Sequence, residues 1–125
     1  VVFAVPGSAV AGIAAELTEA LTGKVVVDAT NPINDTYTGL TTEGTSAAEL
    51  LQQQLPDATV LKALNTVFAS RYANPTQDGH PLDALIAGDD ADAKATVTRL
   101  VESIGFHPVD AGGLRMARAL EEIGR

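Results

Sequence analysis

Val1-Val2-Phe3-Ala4-Val5-Pro6-Gly7-Ser8 opens the chain, and Val25-Val26-Val27-Asp28-Ala29-Thr30-Asn31-Pro32-Ile33 follows it. The reading of these two stretches decides the fold. Each is an uninterrupted apolar run that ends at Pro, Gly or Asn, and such runs suit strands covered on both faces. Between them Val10, Ile13, Ala14, Leu17 and Leu21 recur at helical spacing, with Ser8 placed to cap a helix and Gly23 to stop it. Strand, helix and strand within roughly 30 residues make a βαβ unit. Val1–Val5 and Val25–Ala29 are therefore expected to be adjacent, parallel and buried.

Working outward, the same alternation repeats. Asn34–Gly44 reads as a long loop. A helix is expected from Ser46 to Leu55, because Ser46 and Glu49 stand three apart as in a capping box. Thr59–Leu64 is a third strand with Asn65-Thr66 as its exit, and Val67–Ala73 a short helix. Asn74–Pro81 is a loop, dense in Pro, Gly, Asn and Asp. Asp83–Ala87 is a fourth strand and Asp89 or Asp90 caps a long helix ended by Gly105. Phe106–Val109 is a fifth strand, and Asp110-Ala111-Gly112-Gly113 a tight turn into a last helix. Strand–helix alternation of this kind predicts an α/β fold: a doubly wound, largely parallel sheet with helices on both faces.

The 125 residues amount to one domain with no internal boundary. Eight Lys and Arg against 16 Asp and Glu give a net charge of -8, which argues against nucleic acid or an anionic membrane as partner. No apolar run approaches the roughly 18 residues of a membrane span. The chain has no cysteine, so disulfides, zinc–thiolate sites and thiol nucleophiles are excluded, and a cytoplasmic location is expected. The apolar opening and the end inside an amphipathic run read as an internal portion of a longer chain.

In open parallel sheets ligands bind at the carboxyl ends of strands. Those ends read Pro6-Gly7-Ser8, Asn31-Pro32-Ile33, Asn65-Thr66, Gly88-Asp89-Asp90 and Ala111-Gly112-Gly113. Glycine lets a ligand approach the backbone and Asn offers donor and acceptor together. The same residues are also plain turn formers, so composition alone leaves both readings open. A G-x-G-x-x-G phosphate loop is missing. His80 and His107 beside prolines read as turn residues, and Asp89-Asp90-Ala91-Asp92 as a helix cap rather than a cation site. Arg71, Arg115 and Arg118 could grip an anion, though isolated helix arginines are usually solvated. No Ser–His–acid order is present.

Taken in order, Ala4-Val5-Pro6-Gly7-Ser8, Val25–Ile33, Thr45–Leu50, Val60-Leu61-Lys62-Ala63-Leu64-Asn65-Thr66, Gly88-Asp89-Asp90 and Pro108–Gly112 resemble the NADP oxidoreductase family that includes coenzyme F420-dependent NADP reductases. The resemblance runs over nearly the whole chain and implies a partial Rossmann fold. In it Val1–Val5 corresponds to the fourth strand, and the amino-terminal half with its Gly-rich loop is absent. It implies that Val5, Pro6, Gly7 and Ser8 lie under the nicotinamide ribose and pyrophosphate of NADP, and that Asn31, Pro32 and Ile33 flank the nicotinamide ring. Asn65, Thr66, Ala111 and Gly112 would form the side where a small-molecule redox partner docks. That partner would be coenzyme F420 or a flavin, and the assembly a homo-oligomer. Some relatives carry histidine where this chain has Asn65. Others of this subfold reduce ferric iron through a flavin, or imines and carbonyls. No catalytic acid–base pair is expected, because in hydride transfer the cofactor carries the chemistry. A non-catalytic binding or assembly module of the same shape is the competing reading. A phospho-receiver is disfavoured, since it needs acidic residues where Pro6-Gly7-Ser8 stands.

Overall fold

The computed structural model describes all 125 residues. Seven strands and four helices form, in order, β1 (Val2–Phe3), α1 (Val10–Leu17), β2 (Val25–Asp28), α2 (Ala47–Gln54), β3 (Thr59–Ala63), β4 (Thr76–Gln77), β5 (His80–Pro81), β6 (Asp83–Ala87), α3 (Ala91–Ser103), β7 (His107–Gly112) and α4 (Ala117–Gly124). The main sheet runs β1-β2-β3-β6-β7. As expected, β1 pairs with β2 in parallel, Val2 opposite Val27, and β2 pairs with β3 in parallel. The α/β class and the helices on both faces stand as read.

Apolar side chains alternate between the two faces of the sheet. Phe3, Val26 and Val60 meet α1, α2 and the Leu114–Ala117 segment, while Val27, Leu61, Ala84 and Ile86 meet Val97 and Val101 of α3. Ser46 caps α2 by accepting the Glu49 N–H at 3.1 Å. Its hydroxyl in turn donates to Glu49 Oε2 at 2.7 Å. Asp90 caps α3 by accepting the Ala93 N–H at 2.8 Å.

The structure corrects several expectations. β1 is shorter than Val1–Val5 and is not covered on both faces: it is a sheet edge, with Val1 59% exposed and Val2 46%. Ser8 caps nothing; a 3-10 turn at Gly7–Ala9 leads into α1 instead. Val67–Ala73 holds only a 3-10 turn at Ala69–Arg71. The expected loop at Asn74–Pro81 contains the β4–β5 hairpin, closed by Asp78 and Gly79, both at positive φ (52° and 80°). Positive φ at both central positions is the type I′ pattern that Asp-Gly favours. The expected Asp110–Gly113 turn is mostly strand, since β7 continues to Gly112, which pairs with Ala87 across a bulge.

The largest correction concerns direction. β6 runs antiparallel to β3, with Lys62 opposite Ala87 and Ala63 opposite Ile86. Residues 64–82 supply no amphipathic helix to carry the chain back across the sheet. The chain therefore returns beside β3 in the opposite sense, and the fifth-fold repetition of strand and helix breaks there. Crossovers between parallel strands are right-handed. Reversing the strands while the sheet continues in the same lateral direction consequently sends α3 to the other face. The second helical layer thus arises from strand reversal.

Candidate functional site

Because β1, β2 and β3 are parallel, their carboxyl ends share one end of the sheet. Three segments meet there. Pro6-Gly7-Ser8 leaves β1. A Cβ on Gly7 would stand 3.4 Å from the Asn31 carbonyl oxygen and 3.5 Å from Pro32 Cα, so the first and second strand ends are in contact. After β2, buried Asp28 accepts the Thr30 N–H (2.9 Å) and the Thr30 hydroxyl (2.6 Å), a turn that delivers Asn31 to the rim. After β3, Leu64 adopts φ +66°, unusual for a branched side chain, and Tyr72 donates its hydroxyl to the Leu64 carbonyl at 3.0 Å. Burial raises the Tyr72 phenol above its ordinary pKa, so it stays a donor.

Asn31 and Asn65 form a reciprocal amide pair. Asn31 Nδ2 donates to the Asn65 carbonyl at 2.9 Å, and Asn65 Nδ2 donates to Asn31 Oδ1 at 2.8 Å. Asn65 Nδ2 also donates to the Leu120 carbonyl of α4 at 2.9 Å, which sets the orientation of its amide. Asn65 Oδ1 is buried and accepts nothing. Gly124 closes on the pair from the other side: a Cβ there would lie 2.5 Å from Asn31 Oδ1.

Two cavities flank this pair. One, of about 340 Å³, is lined by Pro6, Gly7, Ser8, Asn31, Ile33 and Asp35 among others. The other, of about 420 Å³, includes Asn31, Ile33, Asn65, Thr66, Phe68 and Ile123. Asn31 and Ile33 line both, so the two cavities adjoin there. Asp35 places negative charge on the first side, and Arg125, ion-paired with Glu122 at 3.1 Å, lines the second. Phe68 and Ile123 are exposed at the rim, Phe68 by 84%.

Of the residues expected from sequence, Pro6, Gly7, Ser8, Asn31, Ile33, Asn65 and Thr66 are thus brought together. Pro32 turns to a smaller pocket of about 150 Å³ between α1 and α2, and Val5 lines no cavity. Ala111 and Gly112 are not brought together with the rest. They sit at the carboxyl end of β7, where the register Asp28–Lys62–Ala87–Gly112 sets Gly112 level with Lys62 but two strands to the side of β3, and neither residue lines either cavity. Asp89 is there too, accepting the Leu114 N–H at 2.9 Å. From that point α4 runs back along the sheet to reach Asn65 and Asn31.

Sequence reasoning missed what α4 contributes. It also missed Asp35, Phe68 and the buried ion cluster beneath the site. Lys62 on β3 is fully buried and contacts Asp28 at 2.9 Å and Glu121 at 3.0 Å, both also fully buried. One signal was available: strand periodicity puts Lys62 on the face of Val60 and Asp28 on that of Val26, in register. The remaining charges act structurally. Arg118 forks onto Glu49 at 2.9 and 3.0 Å, and this pairing is the main cause holding the Glu49 carboxyl below its usual range. Arg71 donates to the Thr76 carbonyl and to Gln77 Oε1, bracing the hairpin. His107 lies 3.0 Å from Asp83 on the surface.

No family model matches the chain. It is 37% identical over 113 residues to a Methanothermobacter marburgensis protein named F420-dependent NADP reductase, covering 84% of this chain and 50% of that one. It is likewise 37% identical over 107 residues to the rat protein named metalloreductase STEAP3, covering 86% of this chain and 21% of the relative. A solved structure from Arthrobacter sp., described as a candidate F420-dependent NADP reductase, superposes with a TM-score of 0.89 at 33% identity. That superposition covers 98% of this chain and 58% of the other. The chain therefore spans about half the length of the named F420-dependent reductase and about a fifth of the metalloreductase.

Proposed function

We propose that this chain, a homologue over most of its length of proteins named F420-dependent NADP reductase, forms the nicotinamide side of an NADP-dependent oxidoreductase. Its acceptor would be a deazaflavin (coenzyme F420) or a flavin-like compound. The observation that carries this reading is the pair of adjoining cavities that share Asn31 and Ile33. Two ring systems exchanging a hydride must meet face to face with no side chain between them, and two cavities that adjoin over shared residues allow that contact.

The residues present fit a nicotinamide riboside. Gly7 leaves its side of the first cavity open, and Ser8 and Asn31 bring hydroxyl and amide groups to its walls. Asp35 favours a cationic oxidised nicotinamide there and disfavours phosphate. Asn65 Oδ1, buried without a partner, suits a ring N–H or carboxamide donor. When bound, the nicotinamide supplies the hydride and the acceptor takes it. Ile33 and the Asn31–Asn65 pair set the separation, while Phe68 and Ile123 bring apolar surface that excludes water from the second side. Pro32 and Val5 would support the strand exits, and Ala111 and Gly112 have no place in this site.

The relatives' names differ on the acceptor, F420 in one and a metal in the other. F420 is the choice here because the second cavity mixes an apolar rim with Asn65 and Arg125, which suits a flat polar ring rather than a bare ion. A homo-oligomer belongs to the same proposal. A cytoplasmic setting is part of the same proposal.

NADPH deuterated at C4, mixed with oxidised F420 and the protein, tests the reading. Deuterium should appear in reduced F420 faster than without protein. No transfer, together with Asn31 and Asn65 amide resonances that neither compound moves, would overturn it.

A further inference from the structure

We propose that Lys62 is the positioning residue of this site, locking the Asn31–Asn65 pair from beneath through Asp28 and Glu121. The proposal rests on the reading that this pair lies where the two proposed ring cavities adjoin.

Lys62 Nζ donates to Asp28 Oδ2 at 2.9 Å and to the Thr30 carbonyl at 2.6 Å, and it is ion-paired with Glu121 Oε2 at 3.0 Å. The other carboxylate oxygens are also engaged. Asp28 Oδ1 accepts from Thr30 twice. Glu121 accepts the Ala47 N–H at 2.9 Å and the Ala48 N–H at 3.4 Å, the first turn of α2. One ammonium thus faces two carboxylates, and the amino end of α2 offsets the excess negative charge. A core with no other purpose could dispense with these ions, because replacing a buried ion cluster by apolar residues is often neutral or stabilising.

What the cluster holds is the site. Thr30 directly precedes Asn31, Leu120 directly precedes Glu121, and Asn65 lies three residues beyond Lys62 on the same chain segment. The two hydrogen bonds of Asn65 Nδ2 run to Asn31 and to the Leu120 carbonyl, so both of its partners sit beside residues that Lys62 grips. Without the ammonium, Asp28 and Glu121 are left as buried carboxylates that repel each other. Either the 28–31 turn or α4 must then move, and each movement removes one partner of Asn65.

Hydrogen exchange of the Asn31 and Asn65 side-chain amides, followed by NMR, tests this. Lys62→Met should speed their exchange by about a hundredfold relative to backbone amides of α3. Glu121→Gln, which keeps the side-chain shape, should give about tenfold and serves if Lys62→Met does not fold. Val97→Ala, on the opposite face, should lower global stability without changing that ratio. In Glu121→Gln, NADPH affinity read from the same resonances should fall about tenfold, while Val97→Ala leaves it unchanged. If the ratio follows global stability in the Lys62 and Glu121 variants as in Val97→Ala, the positioning role is wrong. If NADPH moves no resonance of the unaltered chain while the exchange ratio behaves as expected, the functional reading fails and the positioning of the pair stands.

Discussion

Gly88→Ala probes the reversal of β6 directly. A Cβ at Gly88 would lie 2.8 Å from both Cγ and Cδ2 of Leu61. Carbon atoms pack at about 3.5–4.0 Å, so Leu61 would have to retreat by nearly 1 Å. It has nowhere to go, being fully buried among Val27, Ile86, Val97 and Val101. Overpacking of this kind costs about 1–3 kcal/mol. For a domain of this size the melting temperature should drop by roughly 4–12 °C. Gly88 does not have a positive φ, so the cost is packing and not backbone strain. The contact exists only because β6 runs against β3; a parallel β6 would carry Gly88 to the other end of the sheet, near Asn65. Urea unfolding of Gly88→Ala, Leu61→Ala and the double variant reads the effect as a coupling energy. Once Leu61 is truncated, the added methyl should cost almost nothing, a coupling of about 1–2 kcal/mol. Additive effects, or a Gly88→Ala that melts with the unaltered protein, would refute the reasoning.

Gly12→Ala should act in the opposite direction. The added methyl meets nothing within 4 Å on exposed α1, so stability in urea should rise by about 0.5–1 kcal/mol. Gly112→Ala should destabilise by about 1–3 kcal/mol, because φ is +109° and the new Cβ meets Met116 Cγ at 3.1 Å. It should nevertheless leave NADPH-induced shifts at Asn31 and Asn65 unaltered, since Gly112 stands two strands to the side of β3 and lines neither cavity. Arg118→Met should show a pH-dependent loss. Arg118 holds the Glu49 pKa below its unfolded value, so the pair's contribution is present above the unfolded carboxylate range and vanishes as pH falls through the lowered value. The urea midpoints of variant and unaltered chain should therefore differ at pH 7 and converge in acid.

Much of this was legible in the chain. Val25–Asp28 and Thr59–Ala63 are strands for the reason their apolar runs suggested, and Ser46 and Asp90 cap the helices they precede. Direction was not legible, because Asp83–Ala87 reads the same whichever way it is laid down. The clue was one of length: the short helix read at Val67–Ala73, which the structure reduces to a 3-10 turn, is too brief to carry the chain back across the sheet. The strand-end rule gathered Pro6, Ser8, Asn31 and Asn65 on the parallel strands, whereas Gly112, on β7, stands two strands to the side and lines neither cavity. Lys62 was hidden by its neighbours, since a lysine within an apolar strand shows its counter-charges only after register is known. Glu121, more than fifty residues away, meets it only through the return of α4.

Saturation-transfer NMR with NADPH tests the central claim, that the exits of β1, β2 and β3 form a nicotinamide-side pocket. Irradiating the protein methyl signals, among them those of Ile33, should transfer magnetisation more strongly to the nicotinamide protons than to the adenine protons. Asn31→Ala and Asn65→Ala should each weaken that transfer. Stronger adenine signals, or nicotinamide signals indifferent to both substitutions, would contradict the account.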